Sequence, residues 1–141
     1  MQYTRQEMKR LILFLLLLSA SCSYAEIMEF ENFSLDIPEG WTATENKFSV
    51  RVDSDDGSAS LLISTGNPEG QSIGDMAVSF ALELGGTMPE KDEDGGYSFE
   101  FNNGRSQAAI SGGENFYMLI IGTGAAENET LGEILDSLEM K

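Results

Sequence analysis

The segment NFYMLIIGTG, residues 115–124, constrains this chain of 141 residues more than any other stretch. Phe116, Met118 and Ile120 alternate with Tyr117, Leu119 and Ile121, so as a strand it is apolar on both sides. Such a strand is stable only inside a sheet that is covered on each face, because either face left open would put several large side chains into water. The chain must therefore build a sheet with this segment near its centre and find cover for both sides.

The neighbouring stretches supply the rest of that sheet. In NFSLDIP, Phe33, Leu35 and Ile37 share one face of a half-buried strand, ended by a turn at Pro38, Glu39 and Gly40. KFSVRVD repeats the alternation with Phe48, Val50 and Val52, and DSDDGS predicts a tight turn into SASLLIST, giving a hairpin. GYSFEF and RSQAAIS form a second hairpin about the turn NNG. Between the two hairpins, Ile73, Met76, Ala77, Phe80, Ala81 and Leu84 fall on one face of a helix over 73–84. Ser72 caps it with Asp75 three residues on, and Gly85 and Gly86 offer a left-handed exit. A last helix over about 129–139 buries Leu131, Ile134, Leu135 and Leu138. The expected order is βββ-α-βββ-α, an α+β fold in which an antiparallel β-sheet carries helices packed on both faces as an α/β/α sandwich. The single tryptophan, Trp41, follows the first turn and is expected to close the end of the core.

The start of the chain sets the expected compartment. Arg5, Lys9 and Arg10 precede the apolar run Leu11–Leu18, and Ser23 and Ala25 are the small residues of a cleavage site. That is the layout of a secretory signal peptide over 1–25, cut between Ala25 and Glu26, with a single domain over 26–141. The run is far shorter than the roughly 20 residues of a membrane-spanning helix. Cys22 offers an alternative, lipidation as in a bacterial lipoprotein. The matching box normally carries Leu three residues before the cysteine, where this chain has Ser19. The expected location is periplasmic or secreted, with a lipid-anchored form as the alternative.

Charge then narrows the partners. The whole chain has a net charge of −16, and residues 26–141 hold five basic against 23 acidic side chains, a net charge of −18. Phosphate backbones are repelled by such a surface, which excludes nucleic acid as a partner. Basic proteins and divalent cations remain as electrostatic partners.

FSLDIPEGW near the start of this domain and LGEILDSLEMK at its end resemble the exported PsbP-like and DcrB-like families. The resemblance runs over nearly all of 29–141, chiefly in the order of elements. It implies an antiparallel sheet with helices on both faces and an accessory or binding role in the cell envelope. It supplies no ligand positions that map onto this chain.

Reactive side chains are scarce. The chain has no histidine, and its one cysteine, Cys22, lies in the leader. Histidine-dependent nucleophilic catalysis and the usual nitrogen and sulfur metal sites are thereby excluded. Carboxylates remain. Asp53, Asp55 and Asp56 in DSDDGS are the candidate calcium ligands, with Asp92 and Asp94 in KDEDGG a second group. Neither stretch fits the EF-hand loop: counted from Asp53, the sixth and twelfth places are Ser58 and Ser64. A carboxylate pair could in principle hydrolyse a glycoside, but no spacing in the sequence selects one. The expected function is a non-enzymatic exported binding or accessory protein that contacts an envelope protein and has no cofactor. A small-molecule or calcium-binding module is the alternative, followed by a carboxylate-dependent hydrolase.

Overall fold

The computed structural model describes residues 26–124 and 128–141; Cys22 and Ala25 lie outside the described residues. The elements in order are β1 (Glu26–Glu29), β2 (Phe33–Ile37), β3 (Trp41–Glu45), β4 (Ser49–Ser54), β5 (Ser60–Gly66), α1 (Ile73–Leu84), β6 (Glu90–Lys91), β7 (Tyr97–Phe101), β8 (Ser106–Gly112), β9 (Tyr117–Thr123), α2 (Glu129–Asp136) and β10 (Glu139–Met140). They form a seven-stranded sheet ordered β3-β4-β5-β9-β8-β7-β6 and a three-stranded sheet ordered β1-β2-β10, both antiparallel. β9, the strand that is apolar on both sides, is fourth of the seven. Among the described residues no helix is long and apolar enough to cross a membrane.

The expected α/β/α sandwich is overturned. Among the described residues 44% are in strands and 18% in helices, and the chain makes two sheets where the βββ-α-βββ-α order anticipates one. β2, expected as one strand of a single sheet, lies outside the large sheet and pairs with β1 and β10. The turn at Pro38–Gly40, with Gly40 at φ +87°, carries the chain from the small sheet into β3 at the edge of the large one. The final helix also stops early. The Ser137 hydroxyl donates to the Ile134 carbonyl at 2.6 Å and accepts the Asp36 amide at 2.8 Å. Glu139 and Met140 then pair with Ser34 and Phe33 as a strand.

Residues opposed across a sheet share a face, so the register assigns the cover. On the front face Val50, Val52, Leu61, Ile63, Met118 and Ile120 line up across β4, β5 and β9. The small sheet (Phe33, Leu35, Ile37) and α2 (Leu131, Ile134) pack on them to form one core. On the back face Leu119 and Ile121 of β9 join Ala108, Ile110 and Phe99 of β8 and β7 beneath Met76, Ala77 and Ala81 of α1. The two covers therefore lie on opposite faces and on opposite halves of the large sheet. Strands β6–β8 are left open in front, and β3–β4 behind, where Thr42, Thr44 and Arg51 are exposed.

Local chemistry fixes α1 where the sequence places it. The Ser72 hydroxyl accepts the Asp75 amide at 3.1 Å, and Gly85 takes the left-handed conformation at φ +69°. The Gly86 amide then reaches back to the Ala81 carbonyl at 2.7 Å, a Schellman closure. Beside the helix, Tyr117 of β9 is flanked in register by Gly66 on β5 and Gly112 on β8. A Cβ at Gly66 would lie 2.8 Å from the Tyr117 ring, so glycine there makes the space in which the ring meets Phe80 of α1.

Two substitutions check this account. Leu131→Ala removes a fully buried side chain from α2 and is expected to lower the unfolding free energy by about 2–5 kcal/mol; Leu82→Ala, at a position 78% exposed, changes it little, both read by denaturant titration. Gly124→Ala places a Cβ 2.5 Å from the Ser58 carbonyl oxygen at φ +73°. The left-handed conformation alone costs a non-glycine residue about 1–2 kcal/mol, so a larger loss is expected in the same titration.

Candidate functional site

Of the three aspartates proposed from DSDDGS, Asp53 lies near the end of β4 and Asp55 and Asp56 in the β4–β5 turn, and each is engaged separately. Arg51 Nε donates to both carboxylate oxygens of Asp53 at 3.0 Å. Thr42 Oγ1 donates to Asp55 Oδ1 at 2.8 Å. Asp56 Oδ1 accepts the Ser58 hydroxyl at 2.7 Å, the Ser54 hydroxyl at 2.8 Å and the Ser58 amide at 2.9 Å. These bonds, led by those from Ser58, hold the Asp56 carboxyl down from 3.8 to about 2. Ser54 is itself buried, and its hydroxyl oxygen accepts the Ala59 amide at 3.0 Å, so the turn is locked from both sides.

Among the described residues no three metal-ligating side chains gather in one place. The second acidic stretch behaves the same way. Asp94 Oδ1 accepts the Gly96 amide at 3.1 Å, and Asp92 Oδ1 accepts the Ser98 hydroxyl at 3.1 Å. Both stretches use aspartate as hairpin turns do, to satisfy nearby backbone and hydroxyl donors. Glu26 is the exposed first residue of β1, and Trp41 is half-buried at the start of β3 against the front core.

Asp56 gives the turn a pH signature. Its folded-state value lies below the unfolded one, so its contribution to stability is full above 3.8 and disappears as pH falls through about 2. Asp56→Ala is expected to lower the melting temperature near neutral pH. The gap from the parent chain should close as the titration approaches pH 2, followed by circular dichroism.

Among the described residues, two of the depressions open to solvent stand out. The first, of about 510 Å³, lies at one end between the sheets, with Phe33, Val50 and Ile63 at its base and Glu29, Glu31 and Glu45 on its rim. Phe48 stands there 66% exposed, and the Lys47 ammonium sits 5.2 Å from the centre of its ring.

The second is a groove of about 530 Å³ on the open front of β6–β9. Ser98, Glu100, Gln107 and Ala109 form its floor, because they alternate with Tyr97, Phe99, Phe101, Ala108 and Ile110 on the back face. Met88, 79% exposed, and Leu135 of α2 form apolar walls, and Glu90 of β6 joins Glu100 in giving it negative charge. No lysine or arginine lines it. The backbone of Thr87 bonds to Glu100 at 2.8 Å and its hydroxyl accepts the Glu100 amide at 3.0 Å, which pins the Met88 segment to β7.

The sequence reading names Leu135 and Ile120 as core positions and singles out none of the groove residues as a site. The available signal is the set of residues between the large apolar ones: Ser98 and Glu100 in GYSFEF, Gln107 and the small Ala109 in RSQAAIS. The groove arises because α2 and Met88 rise on either side of them.

No family model and no curated protein matches this chain. Among solved structures, a protein of Bacteroides thetaiotaomicron VPI-5482 with a crystal structure at 1.50 Å resolution is similar at 22% identity and a TM-score of 0.43. The match covers 77% of this chain and 45% of that one, so this chain spans less than half the length of its neighbour. A likeness at that level transfers no function.

Proposed function

We propose that this chain is exported and acts without catalysis, as a binding or accessory protein of the cell envelope that works through contact with another protein. One observation carries the reading: a groove with apolar walls and two carboxylates lies on the half of the sheet that neither α2 nor the small sheet covers. Soluble domains that leave concave, partly apolar surface open commonly use it for contact. The residue inventory points the same way. Without histidine, and with its one cysteine in the leader, the domain lacks the residues of histidine-dependent and thiol nucleophilic catalysis. Its net negative charge favours a basic protein over nucleic acid or an anionic lipid surface.

Export and contact are checked separately. When the full chain is expressed in an exporting bacterium, mass spectrometry of the envelope fraction is expected to find a chain beginning at Glu26. An intact leader retained in the cytoplasm would overturn export. Cross-linking in intact cells is expected to trap one recurring basic envelope protein, in a complex that dissociates as salt is raised. Turnover of a glycan substrate that is lost on a single acid-to-amide change would overturn the non-catalytic assignment.

A further inference from the structure

We propose that the groove on the front of β6–β9 seats a basic, partly apolar segment of a partner polypeptide. Lysine or arginine side chains of that segment meet Glu90 and Glu100, while its apolar side chains lie against Met88, Leu135 and Ile120. This assignment rests on the protein-contact reading above and names the chemistry of the partner.

Register sets the spacing. Glu90 pairs with Ser98, and Glu100 is two residues further along β7 on the same face. Such diagonal neighbours stand about 7–8 Å apart. Basic residues two apart in an extended segment are separated by about 6.6 Å, which matches the backbone spacing of Glu90 and Glu100, and the length of a lysine or arginine side chain lets the second follow the Glu100 carboxylate toward Gly104 of the β7–β8 turn.

Charge complementarity favours a cationic occupant of this groove. The five cations of residues 26–141 all lie elsewhere. Lys47 sits over the Phe48 ring, Arg51 is paired with Asp53, and Lys141 donates to the Phe30 carbonyl. Lys91, next to Glu90, falls on the back face with Tyr97, and Arg105 is in the β7–β8 turn. Glu90 and Glu100 enter no ion pair among the described residues. An incoming cation therefore meets two uncompensated carboxylates beside apolar walls, where the contact is less screened than on open surface. In the depression between the sheets, by contrast, Lys47 already stands among the rim carboxylates. Met88 suits the role as well, since an unbranched thioether adapts to differently shaped apolar partners.

The test uses the chain with a short fluorescent peptide of lysines and leucines, and its glutamate-for-lysine counterpart, read by anisotropy at low and high salt. The lysine peptide is expected to bind and to weaken with salt, and the glutamate peptide to stay free. Glu90→Lys with Glu100→Lys is expected to weaken binding about tenfold or more; Glu90→Gln with Glu100→Gln and Met88→Ser are expected to weaken it less. The matched control, Glu29→Lys with Glu31→Lys, changes net charge equally at the other depression and is expected to stay within about twofold. Melting curves verify that each variant is folded. Equal weakening by the control pair, or amide shifts at Phe48 and Glu45 in place of Ser98 and Gln107, would overturn the groove as the seat. The cross-linked envelope partner would stand in that case. Absence of binding by the lysine peptide at low salt would overturn the inference as well.

Discussion

The structure turns on β9. Its hydrogen bonds join it to β5 on one side and β8 on the other over the whole of Tyr117–Thr123. Its side chains belong alternately to two different cores: Met118 and Ile120 contribute to the front one, and Tyr117, Leu119 and Ile121 to the back one. Burying either set demands a cover, and the chain has only short elements with which to supply them. The solution is diagonal. α1 roofs β7–β9 behind, and the small sheet with α2 roofs β4, β5 and β9 in front. The two cores share one strand, so neither is an independent unit and a loosened β9 exposes apolar surface on both faces.

The same constraint explains what was legible beforehand. β9 announces its central place because no edge position could tolerate Leu119 and Met118 together. α1 is legible end to end, since Ser72, the apolar stripe and Gly85 act within a single stretch of chain. β1, β3, β6 and β10 are different. Glu90–Lys91 and Glu139–Met140 are two residues each, too short to show a period, and become strands only because β7 and β2 offer them hydrogen-bond partners. Trp41–Glu45 carries only two apolar residues, as a lateral edge strand requires. The separation into two sheets is a tertiary choice. Phe33, Leu35 and Ile37 form the same alternating strand whether they pair beside β4 or pack above it, and the sequence of β2 does not distinguish the two.

Carboxylates have distinct uses in the turns and in the groove, and composition alone hides the difference. In DSDDGS each carboxylate is spent locally: Asp53 on Arg51, Asp55 on Thr42, Asp56 on Ser54 and Ser58. These bonds stabilise a hairpin and leave the oxygens pointed at the chain itself. The exposure of the Arg51–Asp53 pair makes it worth little, within about 1 kcal/mol. Its value lies in orienting side chains on the open back face of β4. Glutamates at Glu90 and Glu100 have no such neighbours. They stand on strands and enter no ion pair among the described residues, the Glu100 carboxylate lying toward Gly104 of the β7–β8 turn.

Diagonal cover and surplus charge therefore act together. A sheet fully roofed in front would bury Gln107, Ala109 and Ser98 and leave no groove; a balanced surface would place a lysine beside Glu100 and neutralise it. In this chain the roof ends at Leu135, and the side chains beyond it are small or polar, so the floor stays shallow and wettable without the unfavourable exposure of a large apolar patch. Met88 then provides a flexible apolar wall on a segment held to β7 through Thr87. A contact surface of this kind is stable when empty, because its carboxylates are hydrated, and it gains from a partner that brings both charge and hydrocarbon. A partner bringing charge alone would be lost to salt, and one bringing hydrocarbon alone would strand two carboxylates at the interface, a desolvation cost that the apolar contacts of Met88 and Leu135 are too few to offset.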